Sequence, residues 1–76
     1  MTEYVAIDST VFDLVGYDEK RQVLEVHYIA SGYTFAYEGV PMEEFESLLD
    51  AKSKDKYLQY ITDSYEGYRI NAKQSR

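Results

Sequence analysis

Hydrophobic and polar positions alternate along residues 23–30, with Leu24, Val26 and Tyr28 on one face and Glu25, His27 and Ile29 on the other. The same period of two returns in residues 33–38, where Tyr33, Phe35 and Tyr37 share a side. Between them Ser31-Gly32 predicts a two-residue turn, the glycine supplying the positive φ that such turns need. That turn pairs Ala30 with Tyr33, Tyr28 with Phe35 and Val26 with Tyr37, and so gathers the bulky side chains on one face. Residues 10–17, rich in β-branched and aromatic types, predict a further strand ahead of these, joined to them by a five-residue polar loop at 18–22. With that loop unbulged, Tyr17 meets Val23, Leu14 meets Val26 and Phe12 meets Tyr28. Phe12 and Leu14 then join the same core face.

Helical spacing takes over after Gly39-Val40-Pro41. Met42, Phe45, Leu48 and Leu49 make one apolar stripe, Pro41 suits a first turn, and Glu43, Glu44 and Glu46 sit near the helix N-terminus, where negative charge is favourable. Ser53 is a good N-cap for a second helix, with Asp55 in its first turn. Tyr57, Leu58, Ile61 and Tyr65 form the stripe of that helix, with Tyr68 a candidate extension, and Gly67 is a natural stop. The expected architecture is α+β: a three-stranded antiparallel β-meander followed by two C-terminal helices packed on one face. Residues 1–8 read as an N-terminal extension, 9–70 as the folded domain and 71–76 as a frayed polar tail.

Composition narrows the chemistry. Seventy-six residues hold one core at most, and the absence of Cys excludes disulfide staples, thiolate nucleophiles and Cys-based zinc sites. For so small a core, self-association into a homo-oligomer stays open. Fourteen acidic against eight basic side chains give a net charge of −6, which argues against a general binder of phosphate backbones. The charge is uneven: residues 1–50 carry eleven acidic and two basic side chains, residues 51–76 three acidic and six basic. No apolar run approaches the roughly 18 residues needed to span a bilayer. Met1-Thr2-Glu3-Tyr4 does not open a signal peptide, so the expectation is a cytoplasmic protein with no membrane partner.

Taken in order, Ser9-Thr10, Val15-Gly16-Tyr17-Asp18, Leu24-x-Val26-x-Tyr28, Phe35-x-Tyr37, Val40-Pro41, and Ala51-x-Ser53 followed by Tyr57-Leu58-x-x-Ile61 resemble the KTSC domain family. The resemblance runs from about residue 9 to residue 70. The family takes its name from a domain at the C-terminus of some lysyl-tRNA synthetases and also occurs as free-standing small proteins of bacteria and phages. The resemblance implies an α+β fold and, through a suggestion made for the family, RNA binding. Phe35 in the Phe35-x-Tyr37 pair, Asp55 and Gln59 depart from the family's common residues.

Candidate chemistry is sparse. His27 is the only histidine, and its register places it opposite Ala36 and near Asp13. Such a pair can orient a general base, or can simply offset the facing carboxylates Glu25 and Glu38; the second, structural role is the expectation. Glu43, Glu44 and Glu46 do not recur at the spacing that gathers metal ligands on one helical face, and residues 50–55 lack the oxygen ligands of a calcium loop. Gly16, Gly32, Gly39 and Gly67 stand apart rather than in a phosphate-cradling run. The expectation is therefore no enzyme, no catalytic residues, no metal site and no cofactor.

One grouping joins aromatic and basic side chains: Lys52, Lys54, Lys56, Tyr60 and Arg69. It reads either as an amphipathic edge of an exposed helix or as a patch that stacks a base and neutralises a phosphate. The expected function is a non-catalytic binding module for single-stranded RNA or a nucleotide-type ligand through this edge. The alternative is an acidic protein-interaction module, including a phage-type inhibitor of a host factor, whose partner is a protein.

Overall fold

Short loops join the first four strands and a pair of helices leads to the fifth, and the outcome is a five-stranded antiparallel sheet in which the strands lie side by side in chain order. The computed structural model describes residues 2–70. Strands β1 (Thr2–Ala6), β2 (Phe12–Asp18), β3 (Val23–Tyr28) and β4 (Thr34–Glu38) are followed by helices α1 (Met42–Asp50) and α2 (Lys54–Ser64). Strand β5 (Gly67–Ile70) then returns to pair with β4. The three expected strands are thus the central ones, and each edge carries one more. Residues 2–6, read from sequence as an extension, are one of these edges; the tail at 71–76 lies outside the described residues.

Two registers differ from expectation, with different consequences. Strands β3 and β4 pair Val26 with Phe35 and Leu24 with Tyr37, two residues away from the register of a two-residue turn. The loop is longer: the Gly32 N–H donates to the Tyr28 carbonyl at 3.0 Å and the Tyr28 N–H to the Tyr33 carbonyl at 2.9 Å. Gly32 does supply the positive φ, at 74°. A slide of two residues preserves alternation, so Leu24, Val26, Phe35 and Tyr37 still share one face. Tyr33 now stands at the exit of the loop, 49% exposed, and is not a core residue. The same slide separates Glu25 from Glu38, which face Ala36 and Val23 instead of each other.

The second difference reverses a face. Strand β2 carries an irregularity between Phe12, which pairs with Tyr28, and Leu14, which pairs with His27. The additional residue is Asp13, whose carbonyl accepts the Ile7 N–H at 3.0 Å. Beyond this bulge Val15 and Tyr17 point into the core, fully or almost fully buried, while Leu14 turns outward and is 38% exposed. The expectation that Leu14 joins the core is corrected accordingly. His27 does meet Asp13, its Nδ1 lying 2.7 Å from Oδ1.

Both helices cover the inner face. Phe45 and Leu48 of α1 and Leu58 and Ile61 of α2 close over Phe12, Val15, Leu24 and Val26. The Tyr17 ring stacks on Phe45 with centroids 4.9 Å apart and donates its hydroxyl to the Val40 carbonyl, so a buried phenol is satisfied. Pro41 takes the N-cap position of α1, and Ser53 that of α2 without a capping side-chain bond. Helix α2 ends earlier than the sequence suggests. Tyr65 is its C-cap, Gly67 opens β5 opposite Tyr37, and Tyr68 belongs to that strand rather than to the helical stripe.

The outer face lacks helices, and two of its carboxylates take phenols as partners. Tyr4 donates to Glu25 at 2.7 Å and Tyr68 to Glu38 at 2.8 Å. The hydrogen bond to Glu25 pushes the Tyr4 phenol up to about 12, from an ordinary value of 10.0. A neutral phenol is the form the fold prefers. Its contribution is therefore complete below pH 10 and is lost as pH rises through about 12. Urea midpoints measured across that interval should fall, and the Tyr4→Phe variant should fall less steeply. Equal slopes for the two proteins would remove the Tyr4–Glu25 bond from the account.

Candidate ligand-binding site

The connection between β1 and β2 passes beside the start of α2, and Ser9 fastens the two. Its hydroxyl oxygen accepts the backbone N–H groups of Val11 at 3.0 Å and Phe12 at 3.5 Å, and it donates to the Asp55 carboxylate. A polar cleft of about 410 Å³ opens there, with Asp8, Ser9 and Thr10 on one wall and residues 52–55 on the other. Lys52 and Lys54 supply its cations, Asp8 and Asp55 its anions. The Lys54 ammonium donates to the Ala51 carbonyl at 2.9 Å, which holds it at the junction of the helices.

Past Thr10 the lining changes character. A groove of about 540 Å³ runs over Val11, Tyr28, Phe35 and Tyr37 to Thr62 of α2, with Thr10 common to both depressions. Strand pairing sets Tyr28 edge-on to Phe35, centroids 5.7 Å apart, and Phe35 nearly parallel to Tyr37 at 6.4 Å. The Tyr28 and Tyr37 hydroxyls lie 2.9 Å apart, and burial, with that hydroxyl contact second, pushes the Tyr28 phenol far above its ordinary value. These rings offer flat apolar surface with two polar atoms. Such a concave site of mixed character is what small ligands use.

The five residues singled out from sequence do not form one patch. Lys52 and Lys54 line the polar cleft. Lys56 and Tyr60 are exposed side chains of α2, one turn apart. The Tyr60 hydroxyl reaches Glu44 at 3.4 Å, and its ring lies 5.5 Å from that of Tyr57. Arg69 sits on β5 as the cross-strand partner of Phe35, with its guanidinium 4.4 Å from the centre of the Tyr33 ring. It therefore flanks the aromatic groove.

Sequence reasoning assigned Tyr28, Phe35 and Tyr37 to the core; Tyr37 is buried there, but Tyr28 and Phe35 are only partly covered, and the groove they line with it was passed over. The signal was there in the resemblance, whose quoted motifs include all three. It also passed over Glu44, which accepts hydrogen bonds from Tyr57, Tyr60 and Tyr65. Its carboxylate raises the Tyr57 and Tyr65 phenols, chiefly through the hydrogen bond at Tyr57 and secondarily to burial at Tyr65. Negative charge at a helix start explains Glu44 only in part; it also ties α1 to α2.

Among the described residues no three His, Cys, Asp or Glu side chains gather as metal ligands would, and no helix is long and apolar enough to cross a membrane. A family model described as the KTSC domain matches residues 8–65. An uncharacterised protein of Stutzerimonas stutzeri is 35% identical over 69 residues, covering 88% of this chain and 96% of its own. A protein of Tsukamurella paurometabola is 33% identical over 55 residues, covering 72% and 81%. The crystal structure of a KTSC domain protein from Yersinia pestis superposes with a TM-score of 0.87 at 24% identity, over 93% of this chain and all of that one.

Proposed function

The chain belongs to the KTSC domain family, and from that premise we propose that it is a non-catalytic binding module for single-stranded RNA or a nucleotide-type ligand. The observation that carries this reading is the junction at Thr10 of a cleft bearing two lysines with a groove walled by three aromatic rings. A nucleotide has the matching parts: a flat base for the rings, hydroxyls for Asp8 and Asp55, and a phosphate for Lys52 and Lys54. Arg69 stands beside Phe35, where a second phosphate would pass, and Lys56 and Tyr60 extend the basic edge along α2. The net charge of −6 limits the footprint to a short ligand.

The test is a titration with adenosine monophosphate and with a hexaribonucleotide, followed by chemical shifts of the amides at Ser9, Thr10 and Phe35. Reversing both cleft cations, Lys52→Glu with Lys54→Glu, should weaken binding by at least about tenfold. It should also lower the salt slope by about 1.4, the value for two lost contacts to a single strand. An unchanged affinity, or no binding of either probe, would overturn the reading.

A further inference from the structure

Because α1 and α2 both lie on the inner face, the other side of the sheet is left to solvent, as antiparallel sheets permit. Cross-strand pairing lays out its surface in rows. Tyr4, Gly16, Glu25, Ala36 and Tyr68 form one, and Ala6, Leu14, His27, Thr34 and Ile70 the next. Glu38 stands beside Val23 in a third, whose other neighbour, Asp18, is taken up by the Lys20 and Arg21 N–H groups of its own turn, and Asp13 projects from the bulge to His27. The five strands contain one Lys or Arg, Arg69, and that residue pairs with Phe35 on the opposite face. Arg21, in the loop after β2, lies close enough to act on the Tyr68 phenol, yet Glu25 and Glu38 beside it leave the face anionic on balance. It is also aromatic: Tyr4 is 53% exposed and Tyr68 47%.

We propose that this outer face docks a Lys- and Arg-bearing segment of a partner protein, independently of the ligand site on the helical side. Charge complementarity selects the occupant. A second copy of the chain would set the same carboxylates against each other, and a nucleic acid would bring phosphates to them. A guanidinium or ammonium group finds both of its preferred surroundings here: carboxylate oxygens for charge-assisted hydrogen bonds, and phenol rings for cation–π contact. The carboxylates are held ready as well. Tyr4 crosses the side-chain-free position at Gly16 to reach Glu25, and Tyr68, paired with the small Ala36, reaches Glu38. Fixing these groups in the free protein lowers the ordering cost of binding. Leu14, turned outward by the bulge, adds an apolar contact near the middle of the surface.

The experiment uses the full chain and a synthetic decapeptide of alternating Arg and Ala, followed by amide chemical shifts. Shifts should concentrate at Tyr4, Leu14, Glu25 and Tyr68. The double variant Glu25→Gln with Glu38→Gln keeps an oxygen for each phenol, so the fold is retained while the charge is lost. It should weaken peptide binding by about tenfold, the order expected when charge-assisted hydrogen bonds become neutral ones. The variant Glu43→Gln with Glu46→Gln makes the same change in net charge on exposed positions of α1 and should leave the affinity within about twofold. Equal weakening by the two variants would reduce the effect to net charge and overturn the proposal. Peptide shifts confined to the helical side, or a dimer in sedimentation whose interface shifts fall on this face, would overturn it too.

Discussion

Phe12→Ala is expected to remove a large share of the protein's stability. The ring is wholly buried between the sheet and the helices, and deleting such a ring costs about 3–5 kcal/mol. A chain of 76 residues holds only about 4–11 kcal/mol in total at typical stability per residue. The loss is therefore at least about a quarter of the margin and, at its lower end, all of it. Leu14→Ala is the informative companion, because it lies two positions further along the same strand but on the outer face. It should cost under about 1 kcal/mol, as partly exposed positions do. Urea unfolding of both variants tests the bulge at Asp13 as much as the core. If Leu14→Ala were the more damaging, β2 would have to be turned over.

Gly67→Ala carries the second large effect. A Cβ built on Gly67 would stand 2.2 Å from Cε1 and 2.3 Å from Cδ1 of Tyr37, far inside van der Waals contact with that edge of the ring. Tyr37 is itself buried, so the ring has little room to yield. Overpacking of this kind costs about 1–3 kcal/mol. The strain has two outlets: β5 lifts away, or the ring tilts and separates its hydroxyl from that of Tyr28. Hydrogen exchange should show faster exchange across Gly67–Ile70, and thermal unfolding a lowered midpoint. A variant as stable as the parent would mean that the ring does not rest on this backbone.

Gly67 also illustrates what local pattern reading misses. Its position after an amphipathic stretch marks it as a helix stop, yet the reason for glycine is a ring contributed by residue 37 on another strand. No neighbouring residue announces that contact. Strand β5 was hidden by the same fact, and β1 by Tyr4 and Val5, apolar residues on opposite faces that blur its alternation. The central strands were legible because alternation is indifferent to a slide of two residues. The longer loop at 29–32 therefore changed partners without changing faces. The bulge was not legible, since either setting of β2 offers apolar residues to the core: Phe12 and Leu14 in one, Val15 and Tyr17 in the other. In the candidate site, Lys52 and Lys54, singled out by charge, line one cleft. The groove was concealed because a half-covered aromatic row and a buried one share the same periodicity. What distinguishes them is where α2 stops covering the sheet.

The outermost strands of the sheet come from the two ends of the described chain, and both lie outside residues 8–65, which the family model matches. A protein trimmed to those residues would lose β1 and β5 together. Strands β2 and β4 would then become the rims, each with an unpaired row of backbone donors and acceptors open to a neighbouring molecule. The Tyr37 ring would lose its floor and Glu25 its phenol in the same cut. For this small sheet, the segments that look most dispensable are the ones that cover the flanks of β2 and β4.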